Sequence, residues 1–151
     1  MMDDLQQLYQ EIILDHNRNP RNFGTLDPCT HHAEGYNPLC GDRLELFINV
    51  DEDGLIENLR FTGKGCAIST AAASLMTQHV HGRRVAEVEG LIEEYHLVVT
   101  GQLAPENAPT LGKLKIFSGV AEFPSRVKCA TLCWHTLRSA LTRAEPGTTT
   151  E

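Results

Sequence analysis

Positive charge is scarce in this chain: 13 Lys and Arg stand against 20 Asp and Glu across 151 residues, a formal net charge of −7. That deficit argues against nucleic acid or an anionic membrane surface as the main partner, since both call for a basic face. No apolar run approaches the roughly 18 residues of a spanning helix. The opening MMDDLQQLYQ is acidic and polar where a secretory leader is basic and then apolar. The expectation is a soluble, cytoplasmic chain with neither nucleic acid nor membrane among its partners. There is also no internal repeat, no alternation of strand with helix and no CxxC pair. The missing CxxC removes a common sequence sign of a zinc or redox site, yet five cysteines are present. Five is odd, and a chain of this length buries roughly 70% of its unfolded surface without covalent staples. Metal or thiol chemistry therefore explains the cysteines better than a disulfide framework.

The apolar residues fall into two periods. Leu5, Leu8, Tyr9, Ile12 and Ile13 recur at helical spacing with Asp3 or Asp4 as cap, which predicts an amphipathic helix over about 4–17, ended by NRNPRNFG. Leu44, Leu46, Ile48 and Val50 alternate strictly, DEDG at 51–54 supplies a turn, and Leu55, Leu59 and Phe61 share the parity of a second strand. HHAEGYNP offers a third strand of poor periodicity. Ile68, Ala71, Ala72, Leu75 and Met76 predict a helix from Cys66 to about His81 and Gly82. Val85, Val88, Leu91, Ile92, Tyr95 and Val99 predict another, ended by Gly101. Beyond the loop QLAPENAPT, the short segment LGKLKIF and the break FPS, Val127, Ala130, Trp134, Leu137 and Leu141 define a last helix with Cys129 in its first turn. The class is α+β: a small antiparallel sheet of about three strands with helices packed around it. One domain spans 1–143 and a disordered tail 144–151.

Three cysteines fall at the ends of these elements. Cys40 lies in a Gly-containing turn before a strand, Cys66 at a helix start after Gly-Lys-Gly, and Cys129 at the start of the last helix. Helix N-termini favour the thiolate that a metal or an electrophile needs, and Arg43, Lys64, Arg126 and Lys128 act in the same direction. Three thiolates plus the Asp42 carboxylate would make the four ligands of tetrahedral zinc. The residues alone leave another reading open, in which each Cys is a small apolar core side chain. Cys133 reads as core. Cys29, in DPCTHH beside His31 and His32, reads as a loop residue, although that trio could hold an adventitious metal. His16 and the basic NRNPRN segment either face a partner or cap a helix C-terminus. Trp134 reads as core, and EVEGLIEE as an exposed helix face.

Four blocks then carry a resemblance: LYQEIILDHNRNPRNFG (8–24), NPLCGDRLELFINV (37–50), FTGKGCAISTAAASLMT (61–77) and LGKLKIFSGVAEFPSRVKCATLCWHTL (111–137). In this order the chain resembles, almost end to end, the U-type iron-sulfur assembly proteins, the NifU N-terminal, IscU and SufU group. The resemblance implies an IscU/SufU-like fold and maps that group's three cysteines and aspartate onto Cys40, Asp42, Cys66 and Cys129. Two departures from IscU resemble the SufU branch. Lys128 stands where IscU proteins carry a His directly before the third cysteine, and about twenty extra residues fall in the 80–110 region. The branch implies a zinc-dependent sulfurtransferase for iron-sulfur cluster assembly. It would accept persulfide sulfur from a SufS-like cysteine desulfurase and pass it toward a downstream iron-sulfur scaffold. Zn2+ would be held by Cys40, Asp42, Cys66 and Cys129. Cys40 would be catalytic, displaced from the metal by a His of the docked desulfurase. Two alternatives stand beside this: a scaffold on which a 2Fe-2S cluster is assembled and transferred, and a purely structural zinc site, for which a carboxylate ligand is unusual.

Overall fold

The computed structural model describes residues 4–38, 41–142 and 148–149, so Leu39 and Cys40 fall outside it. Its elements run α1 (Asp4–Arg18), β1 (His31–Asn37), β2 (Asp42–Val50), β3 (Ile56–Lys64), α2 (Ala67–Val80), α3 (Val85–Val99), two stretches of 3-10 turns (Pro105–Asn107 and Pro109–Glu122), α4 (Pro124–Thr142) and β4 (Thr148–Thr149). The three main strands form an antiparallel sheet in the order β3-β2-β1, with β4 pairing parallel to Gly35 and Tyr36 at the outer edge of β1. The expected α+β class and three-stranded antiparallel sheet are both present. β4 lies within the stretch expected to be disordered, and the rest of 143–151 is outside the described residues. Among the described residues no helix is long and apolar enough to cross a membrane.

The sheet buries one face. Leu44, Leu46 and Ile48 of β2 and Leu59 and Phe61 of β3 are buried, as period-two patterning requires. The hairpin turn is fixed by Asp51, whose Oδ1 accepts from the backbone N–H of Asp53 and Leu55, both at 2.9 Å. The first buried residue of β3 is Ile56 rather than the expected Leu55. Asn49 pairs with Asn58 but Val50 with Ile56, so a bulge inserts one residue and flips the parity.

β1 is a full strand, and its poor apolar pattern has a steric cause. Its inward positions are Ala33, Gly35 and Asn37, all buried. A Cβ on Gly35 would lie 2.1 Å from Thr136 Oγ1 and 3.1 Å from Leu132 Cδ1. α4 crosses β1 so closely that large side chains have no room.

α2 is the central helix, buried from Ala71 to Thr77. α1 and the segment after it lie against α2 through polar contacts: His16 Nδ1 is 2.7 Å from Ser74 Oγ, the Arg21 backbone N–H donates to the same oxygen at 2.8 Å, and Asn22 Nδ2 donates to Thr77 Oγ1 at 3.0 Å. His16 lies in the last turn of α1 and is buried, and burial pushes its imidazole below the ordinary value. Tyr9, Ile12 and Ile13 lean on the core as expected, whereas Leu8 is 48% exposed. Capping by Asp3 or Asp4 lies outside the described side chains.

α3 ends at Gly101, which has φ +80. With Leu111, Leu114, Ile116, Phe117 and Val120 of the 3-10 stretch it closes the far side of the core. Tyr95 stacks on Trp134 with centroids 4.9 Å apart and donates its hydroxyl to Ala130 O at 2.7 Å. The glutamates of EVEGLIEE lie on the outer face, where Glu89 pairs with Arg138 at 2.8 Å.

Candidate metal centre

One end of the sheet gathers the chemistry. β1 and β2 are joined through 38–41, with Asn37 directly opposite Asp42 and the Gly41 N–H donating to Asn37 O at 2.8 Å. β3 ends at Lys64 on the same edge, Gly65 and Cys66 lead into α2, and α4 passes overhead. The ligand atoms of Asp42, Cys66 and Cys129 all lie within 4.8 Å of one another. Three of the four residues mapped by the resemblance are thus brought together. Cys40, the fourth, lies outside the described residues.

Each of the three is positioned differently. Asp42 opens β2 on its inward face and is 2% exposed. Its Oδ1 accepts from the Cys66 backbone N–H at 3.1 Å, and its Oδ2 lies 3.9 Å from Cys66 Sγ. Cys66 is the N-cap of α2, with extended backbone (φ −70, ψ 172) and Sγ accepting from the Ser69 N–H at 3.4 Å. Its thiol is exposed and faces the positive end of the helix. Cys129 is 4% exposed. It falls beyond the first turn of α4, because the helix begins at Pro124, inside the expected break; proline is well tolerated at the first helical position. Cys66 thus stands at a helix N-terminus as expected, whereas Cys129 does not.

Sequence reasoning missed two residues of this centre. Asn37 is fully buried and points Nδ2 to within 3.9 Å of Cys129 Sγ. Gly65 lies against the cluster, since a Cβ there would meet Asp42 Oδ1 at 3.1 Å and Ser69 Oγ at 3.0 Å. The available signal was parity, because Asn37 continues the inward series of Ala33 and Gly35.

The donor set fits a cation. A carboxylate as buried as Asp42 is costly without a compensating charge, and among the described residues no Lys, Arg or His forms an ion pair with it. A thiolate sulfur and a carboxylate oxygen on one tetrahedral zinc stand roughly 3.5–3.7 Å apart, against the 3.9 Å between Cys66 Sγ and Asp42 Oδ2. Basic residues flank the rim. Arg43 and Lys64 oppose each other across β2 and β3, with Arg43 exposed on the face opposite Asp42. The Arg43 guanidinium lies over the Tyr36 ring at 4.7 Å, and that of Arg126 over Phe123 at 4.5 Å.

Cys29 and Cys133 lie outside this cluster among the described residues. Cys133 is buried in the core, where desolvation pushes its thiol far above the ordinary value. Cys29 is half-buried in the loop before β1. His32 turns away from it to Glu45, its Nε2 lying 2.7 Å from Glu45 Oε2.

Residues 8–130 match the NifU-like N-terminal domain family. The chain is 36% identical over 144 residues to the zinc-dependent sulfurtransferase SufU of Bacillus subtilis (strain 168), covering 95% of this chain and 96% of that one. It is 38% identical over 143 residues to the iron-sulfur cluster assembly scaffold protein IscU of Streptococcus pyogenes serotype M1, covering 95% and 88%. A crystal structure from Fervidobacterium islandicum AW-1, described as a candidate iron-sulfur cluster assembly scaffold protein for the SUF system, superposes with a TM-score of 0.81 at 32% identity over 90% of this chain and 98% of that one. With a thiol and carboxylate cluster at the end of an IscU-like sheet and likeness along nearly its whole length, the chain belongs to the NifU N-terminal/IscU–SufU family of iron-sulfur cluster assembly proteins.

Proposed function

We propose that the protein is a zinc-dependent sulfurtransferase of the SufU type, accepting persulfide sulfur from a cysteine desulfurase. One observation carries the reading: among the described residues the cluster holds two thiols and a buried carboxylate but no imidazole, and the residue before Cys129 is Lys128. That set, completed by Cys40, suits a redox-inert ion with an exchangeable ligand more than a cluster site with a His donor. The end-to-end likeness to the Bacillus subtilis sulfurtransferase supports it.

Zinc, when bound, would keep the thiolates deprotonated and exchangeable without redox chemistry. Asp42, Cys66 and Cys129 would hold it, while Cys40 would be the catalytic thiolate. Cys40 attacks the terminal sulfur of the desulfurase persulfide. A new S–S bond forms on Cys40, the desulfurase S–S bond breaks, and the desulfurase cysteine leaves as a thiolate. Passing the sulfane sulfur on to a downstream scaffold repeats the exchange. Asp42 is a hard oxygen donor among soft thiolates and supplies the lability this exchange needs.

The scaffold reading is favoured by the name of the Streptococcus pyogenes relative, and one experiment separates the two. Protein purified without added metal is analysed for zinc and iron, its visible spectrum is recorded, and it is assayed with a SufS-like desulfurase. One zinc per chain, no colour, and a many-fold stimulation that Cys40→Ser abolishes are expected. Iron with sulfide absorption and a transferable 2Fe-2S cluster would establish the scaffold instead.

A further inference from the structure

Asn37 is the last inward position of β1, after Ala33 and Gly35. α4 leaves no room for a Cβ at Gly35, where Thr136 Oγ1 stands in the way, yet the next inward position holds a full amide, 0% exposed. That amide points its Nδ2 at Cys129 Sγ, 3.9 Å away across the seam between β1 and α4. Resting on the zinc-transferase reading above, we infer that Asn37 is a positioning residue: its amide N–H donates to the Cys129 thiolate and keeps Cys129 on the metal while Cys40 carries the sulfur.

Burial gives the contact its weight. An amide taken out of water needs hydrogen-bond partners, and a thiolate accepts without donating, so only the NH2 end of Asn37 can meet it. Ionising the thiol makes the bond charge-assisted, hence shorter and stronger. Such a bond draws charge from the sulfur, which steadies it as a ligand and lowers its nucleophilicity toward a persulfide; outer partners of this kind orient and tune the ligands they touch. The two described thiols of the centre receive their N–H donors from different sources. Cys66, at the start of α2, has the Ser69 backbone N–H at 3.4 Å. Cys129, beyond the first turn of α4, has a side chain from the facing strand. A side-chain donor can be removed by one substitution. Asn37 also stands directly opposite Asp42, and its carbonyl accepts the Gly41 N–H at 2.8 Å. Through its backbone it ties the start of β2, and through its side chain it ties α4, so one residue fixes two ligand-bearing elements relative to each other.

Cobalt(II) in place of zinc reports on the thiolates, because its sulfur-to-metal charge-transfer bands follow the energy of the sulfur lone pairs. Asn37→Ala should move those bands to lower energy, and chelator competition should show zinc held about tenfold more weakly, the loss typical of an outer partner. Asn37→Ser, too short to reach the sulfur, should behave alike and serves if the alanine variant does not fold. Asn37→Asp keeps the shape but sets a carboxylate where the donor was, and should weaken zinc further. Thr136→Val is the control: Thr136 lies in the same seam, but its hydroxyl donates to Leu132 O at 2.8 Å rather than to a ligand, so bands and affinity should match the parent. Bands and affinity unmoved in the Asn37 variants, or moved as far in Thr136→Val, would overturn the inference and leave the zinc reading standing. A parent protein without sulfur-to-cobalt bands would sink both.

Discussion

Gly63 couples the fold to the metal centre, and replacing it tests whether strand spacing holds the ligands together. It stands opposite Leu44 on β3, three residues before Cys66, with φ +146. A Cβ there would lie 2.1 Å from the Arg43 carbonyl oxygen and 3.0 Å from Arg43 C and Leu44 Cα. These are backbone atoms, so no side-chain rotation relieves the clash, and β2 must part from β3 at the end carrying Asp42. Overpacking of this kind costs about 1–3 kcal/mol, and a side chain at positive φ costs about 1–2 kcal/mol more. Taken at about 3 kcal/mol, Gly63→Ala should lower Tm by roughly 6–12 °C in a chain of this size. Gly54→Ala is the control. Gly54 also has positive φ, +83, but nothing lies within 4 Å of its added Cβ, so only the conformational cost of about 1–2 kcal/mol applies. Thermal unfolding of both variants, with zinc and after chelation, gives the steric part by difference. Gly63→Ala should also retain less metal, because parting the strands separates Asp42 from Cys66. A Tm drop no larger than that of Gly54→Ala, with full metal retention, would refute the reasoning.

Two further outcomes follow from buried groups. His16, His79 and His135 all have imidazoles held below the ordinary value of 6.5, chiefly by burial, so the unfolded chain binds more protons below that value. Their share of stability is complete above pH 6.5 and is lost as pH falls through the folded values. The urea midpoint should therefore fall between pH 7.5 and 5.5, and His16→Gln should flatten that slope; an unchanged slope would remove His16 from the account. Cys133→Ala should cost about 1 kcal/mol of burial yet keep metal content and sulfur transfer, and native Cys133 should resist iodoacetamide until the chain unfolds. Rapid native labelling of Cys133, or loss of transfer in the variant, would show that it takes part in the chemistry.

Local chemistry settled much of this protein. Strict alternation from Leu44 to Val50 could only be a half-buried strand, the Ile68 to Met76 spacing only a helix face, and Gly101 a helix end, because each pattern depends on neighbours within a turn or a strand pair. The thiol and carboxylate residues were legible too, through motif blocks that span the chain. Where contacts are long-range, the tertiary structure decided. β1 carries Ala33, Gly35 and Asn37 inward because α4 presses Thr136 and Leu132 against it, and nothing near residue 35 announces a helix a hundred residues away. The bulge that puts Ile56 inward, the Ser74 hydroxyl that buries His16, and the start of α4 at Pro124 arise in the same way. The sequence could name Asp42, Cys66 and Cys129, but their meeting within 4.8 Å depends on two strand ends and the start of α2 lying at one corner under α4. Only the packed sheet and helices bring those residues together.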